Sequence, residues 1–143
     1  MEIASTSKAS SQDWWRWALL PFATIGGAVI GAFITWFTLW FGMKLRGEIG
    51  MDGWYFRYVM PVLVSAVFGC VYAYIAYEMA PRSKAIAGTV MVTILGVLTV
   101  IALLQTWVAP DITIGKQINM TVGGAATMIA AVLTLVEVNG KKA

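Results

Sequence analysis

The sequence has no histidine, a single cysteine, and charged residues at only 12% of its 143 positions. Each shortage excludes a class of chemistry. Without histidine, and with Cys70 alone, the chain has no ligand set for a histidine-bound haem, a zinc cluster or an iron–sulfur centre, and no internal disulfide. No cofactor is therefore expected. Charge is also short of the roughly 25% of a soluble domain. The 10 Lys and Arg against 7 Asp and Glu give a net charge of +3, but the basic residues are scattered, so no nucleic-acid-binding face forms.

Apolar residues of the AVILMFWYC set fill 59% of the chain. They are gathered into long runs, and polar residues are confined to short stretches between them. That pattern predicts an all-α integral membrane protein, because about 20 consecutive apolar residues span a bilayer core as a helix. The expected spans are about 18–43, 54–79, 84–108 and 115–138, preceded by a flexible Ser/Thr/Ala-rich tail over residues 1–13. The first run is too long for a cleaved signal peptide and reads as a signal anchor.

The boundaries follow from local chemistry. Asp13 is a plausible N-cap before Trp14, Trp15 and Trp17, and Pro21 is placed to kink the entry to the first span. Gly47, Gly50 and Gly53 with Arg46, Glu48 and Asp52 mark a loop, and Pro61 lies in the first turns of the second span. Pro81 ends that span, Ser83 reads as the next cap, and Ala109-Pro110-Asp111 forms a turn. Asn139-Gly140 supplies a C-terminal cap. Such short connections predict an up-down-up-down four-helix bundle as a single membrane domain.

Lys8, Arg16, Arg82, Lys84, Lys141 and Lys142 fall on one side of the bundle, and Lys44, Arg46, Arg57 and Lys116 on the other. The positive-inside rule then puts both termini in the cytoplasm, and the plasma (inner) membrane is the expected location. Aromatic residues sit near both interfaces. Trp14, Trp15, Trp17, Tyr72, Tyr74 and Tyr77 form one belt, and Trp36, Trp40, Trp54, Tyr55, Tyr58 and Trp107 the other. Cys70 and the eight methionines read as bundle filling.

Small and hydroxyl residues recur at helical spacing: Thr24, Ala28, Gly31, Thr35, Thr38 and Gly42 on the first span, Ser65, Gly69, Ala73 and Ala76 on the second. Thr89, Thr93 and Gly96 continue the pattern on the third, and Gly123, Thr127, Ala130 and Thr134 on the fourth. These are expected helix-packing seams. The competing expectation is a polar path lined by Thr24, Thr35, Thr38, Thr93, Thr127 and Thr134, although a threonine hydroxyl also bonds its own helix four residues back. No ionisable residue falls at mid-span. Glu78, Arg82 and Glu137 lie near interfaces, as snorkelling charges or as a carboxylate pair at a cation entrance.

Thr24-Ile25-Gly26-Gly27-Ala28 and Thr121-Val122-Gly123-Gly124-Ala125 share a local pattern, too short to establish a repeat. The stretch Gly26 to Ala32 resembles the glycine-rich first helix of small dual-topology fluoride channels, over that helix alone. Ile34, Thr35 and Trp36 follow where an Arg belongs to that pattern, and the first span also lacks the Glu of small multidrug transporters, so no family is assigned. The chain has spans and seams but no reactive set. It is therefore expected to be a non-catalytic membrane subunit that contacts the bilayer and either other membrane subunits or copies of itself. A small homo-oligomeric channel, permease or membrane-permeabilising protein is the alternative.

Overall fold

The computed structural model describes residues 4–47, 53–80, 83–109 and 112–141, with side chains from 4 to 14, 16 and 17 outside that description. The described residues are helical almost throughout: α1 (Ala4–Leu45), α2 (Met60–Met79) preceded by a π-helical turn (Tyr55–Val59), α3 (Lys84–Val108) and α4 (Ile114–Gly140). Each of the four is long and apolar enough to cross a membrane. An apolar helix whose backbone bonds are all internal is the form such sequences adopt where water is absent.

α1 begins at Ala4, so it continues back through the stretch read as a flexible tail, and Asp13 lies inside a helix rather than at its start. Its apolar part, Ala18–Leu45, is 28 residues long. Pro21 does not end the helix. The Thr24 hydroxyl donates to the carbonyls of Leu20 and Pro21, both at 3.0 Å, just after the point where proline removes a backbone donor. Two caps read from the sequence are also different in structure. Ser83 precedes α3 in a left-handed conformation (φ 50°) without a side-chain cap, and Gly140 stays helical.

α2 is the hub. It packs against α1, α3 and α4, and α3 packs against α4, whereas α1 barely touches α3 or α4. The geometry is thus a triangle of α2, α3 and α4 with α1 laid along the outer side of α2. Methyl groups added at Gly27 and Gly31 of α1 would meet Ile75 and Val71 of α2, so these helices run antiparallel. Lys84 of α3 bonds Glu78 of α2, and Trp107 Nε1 donates to Thr121 of α4. α2 and α4 run parallel, because Arg57 meets Asn119 and Ser65 meets Thr127, each pair 62 residues apart.

Small side chains set the helix spacing. The core is built on Ala28, Ala73, Ala76, Ala80, Ala87 and Ala131 with Leu20, Tyr72, Met91, Val92 and Leu95. At Gly69 the α2 backbone lies directly on the backbone of Thr127, leaving no room for a β-carbon. Close approach of this kind maximises dispersion contacts between helix backbones. Outward-facing positions carry large apolar groups, among them Phe22, Phe33, Val97, Leu133 and Val136.

Of the tyrosines read as one aromatic belt, Tyr72 and Tyr77 turn inward and pack between helices. They are 3% and 4% exposed, whereas Tyr74 is an exposed ring. Tyr72 hydrogen-bonds Thr24, which gives its hydroxyl a partner inside the α1–α2 contact. Trp36, Trp40, Trp54, Tyr58 and Trp107 remain at the surface or half-buried.

Candidate functional site

Where α2 begins, Pro61 removes the backbone donor that would reach the Arg57 carbonyl four residues back. The turn before it widens to π geometry, with the Met60 N–H donating to Tyr55 O. The exposed Arg57 carbonyl is taken by Asn119 Nδ2 of α4 at 3.0 Å. One proline, one widened turn and one amide side chain therefore fix the starts of α2 and α4 against each other. Wide turns of this type are frequent at functional sites.

Beside this junction a cavity of about 480 Å3 opens between α2, α3 and α4. Pro61 and Ser65 come from α2, Thr99, Ala102, Leu103 and Thr106 from α3, and Lys116, Asn119, Met120, Gly123, Gly124 and Thr127 from α4. Gly123 and Gly124 keep its floor low. At its deep end Thr127 Oγ1 donates to Gly123 O and Ser65 O, both at 3.0 Å. Thr106 and Thr99 hydroxyls donate to Ala102 O and Leu95 O at 2.8 Å. Their oxygens retain lone pairs for a further donor. At the other end Gln117 Nε2 donates to Thr106 O at 3.3 Å.

Of the seam residues, Ser65, Gly123 and Thr127 line this cavity. Thr24 and Ala28 are fully buried between helices, and Ala73 and Gly69 lie in the α2 contacts. Gly31 faces Val71, and Thr35 donates to the Gly31 carbonyl at 2.8 Å. Ala130 offers its carbonyl to Cys70 Sγ at 3.9 Å and to Thr134. The threonines proposed as a polar path do not converge. Thr24, Thr35, Thr38, Thr93, Thr127 and Thr134 each bond a carbonyl four residues back, and of these only Thr127 reaches the cavity.

Each interfacial carboxylate has its own lysine. Glu78 pairs with Lys84 at 3.1 Å and Glu137 with Lys141 at 2.6 Å. The Glu137 hydrogen bond, then its charge, raises the Lys141 ammonium above the ordinary lysine value. Both pairs are exposed at the same end of the molecule, far from the cavity; Arg82 lies outside the described residues. No group of three His, Cys, Asp or Glu side chains placed to hold a metal occurs among the described residues.

Sequence reading missed Asn119, Thr99 and Thr106. The available signal was Gln117 and Asn119 within the first turns of an apolar span, where amide groups without partners are costly. Comparison with family models, characterised proteins and solved structures finds no match for this chain.

Proposed function

We propose that the chain inserts as an up-down-up-down four-helix membrane domain and acts as a non-catalytic subunit that packs in, or stabilises, a larger membrane complex. The observation that carries this reading is the placement of α1, which has one partner helix where a closed bundle would give it two. Its outer surface carries an aromatic ladder among exposed aliphatic residues. Phe33 stacks on Trp36 at 6.3 Å, Trp36 on Trp40 at 6.2 Å, and Phe37 on Phe41 at 6.2 Å. Lys44 Nζ completes the ladder 4.7 Å from the Trp40 ring. Rigid aromatic side chains give up little conformational freedom when a partner covers them.

In this reading both termini are cytoplasmic and the host is the plasma (inner) membrane, following the distribution of basic residues. A photo-crosslinking residue at Phe33 or Phe37 tests the docking face in the native membrane. Capture of one distinct membrane protein from both positions, but not from exposed Val97 of α3, is the expected result. Adducts to lipid alone from all three positions contradict it.

The cavity favours a second reading, a small homo-oligomeric channel or permease, since hydroxyl groups and Lys116 line a recess that reaches the middle of α4. That reading expects Phe33 adducts to the chain itself and release of trapped solute from liposomes.

A further inference from the structure

We propose that the recess between the starts of α2 and α4 binds a phosphate-bearing anion, presented as the headgroup of an anionic phospholipid whose acyl chain enters the neighbouring cavity. Arg57 and Lys116 come from different helices and line one recess of about 340 Å3 together with Tyr58, Thr113, Gly115 and Asn119. The Asn119–Arg57 bond holds the two helix starts in parallel register, so both cations are presented on one side of the molecule. Neither cation belongs to an ion pair seen among the described residues.

Two like charges sharing a recess repel each other, and a phosphate relieves both at once. The start of α4 adds to the positive potential. Thr113 provides no side-chain cap, and the first turn of α4 contains no acidic residue, so the helix start contributes its partial positive charge to the recess.

The adjoining cavity selects a lipid over a free anion. It shares Lys116 and Asn119 with the recess and continues along α4 to Thr127. The 11 helical steps from Lys116 to Thr127 rise about 16 Å, close to half of a roughly 30 Å hydrocarbon core. Ala102, Leu103 and Met120 give it apolar walls, and Ala102 is exposed at its rim. A recess for the charged head and a slot about one leaflet deep thus adjoin across Lys116 and Asn119.

The full chain, purified in detergent and stripped of lipid, is titrated with dioleoyl phosphatidylglycerol or dioleoyl phosphatidylcholine, and bound lipid is counted by native mass spectrometry. Preferential retention of phosphatidylglycerol is expected. Each of Arg57→Gln and Lys116→Gln should weaken it about fivefold, and the double variant about 30-fold. Ala102→Trp fills the slot from its exposed rim and should also weaken retention, while millimolar inorganic phosphate should displace none of the lipid. Each variant is compared only if its elution volume and helical content match the parent; both basic residues are exposed, and Lys116→Gln alone suffices for the test. Equal retention of the two lipids, or full retention by the double variant, overturns the site. Displacement by inorganic phosphate with no effect of Ala102→Trp assigns the cations to a free anion and overturns the lipid.

Discussion

Asn119 Nδ2 of α4 donates at 3.0 Å to the Arg57 carbonyl of α2, the acceptor whose ordinary helical donor is removed by Pro61. The amide and the proline are therefore coupled. Asn119→Leu should cost about 1 kcal/mol in a reversible unfolding assay in detergent. Pro61→Ala restores an N–H to that carbonyl, so in its background the same change should cost much less. Equal costs in the two backgrounds would show that the side chain does not answer the proline.

Glycine substitutions should separate by what they strike. A β-carbon at Gly69 meets the Thr127 backbone, whereas at Gly27 it meets only the end of the Ile75 side chain, and at Gly26 it meets nothing. Gly69→Ala should destabilise by about 1–3 kcal/mol because α2 and α4 must separate. Gly27→Ala should cost less, and Gly26→Ala should be neutral or stabilising by up to about 1 kcal/mol from helix propensity. Thermal unfolding of the three variants checks the order, and a stable Gly69→Ala contradicts the α2–α4 contact.

The four long apolar helices were legible because apolar runs of this length have few other solutions in a charge-poor chain. Of the residues read as seams, Gly69, Ala73, Gly123 and Thr127 lie at helix contacts. Which seam meets which was not legible, because a membrane helix is apolar on its packed and its exposed faces alike, so periodicity does not name the partner. That is why the peripheral position of α1 and the burial of Tyr72 and Tyr77 needed the structure. The cavity was hidden for a different reason. It depends on Thr99 and Thr106 of α3 facing Asn119 of α4, side chains of helices whose relative rotation no single segment encodes.

Thr127 makes a hydrogen bond across helices as well as within its own. Thr127→Val keeps the shape and removes the bond to Ser65 O, at an expected cost of about 0.6 kcal/mol. Thr38 bonds only its own helix, to Ile34 O at 2.8 Å, and Thr38→Val should change stability by less than half as much. Unfolding in detergent measures both, and equal effects contradict a structural role for the cross-helix bond.

The ion pairs should matter little. Glu78→Gln and Glu137→Gln break exposed contacts with Lys84 and Lys141 and should leave the unfolding midpoint nearly unchanged, the more so in high salt. A larger loss in either variant, unaffected by salt, would show that the carboxylate has a further task.

The account rests most directly on the chain belonging to a larger membrane assembly through the free side of α1. Native mass spectrometry of the tagged protein, extracted gently from its own membrane, measures this in one step. The account predicts a second membrane protein in stoichiometric amount, lost when Phe33 and Phe37 are both replaced by alanine. A chain recovered only as a monomer, or only with copies of itself, contradicts it.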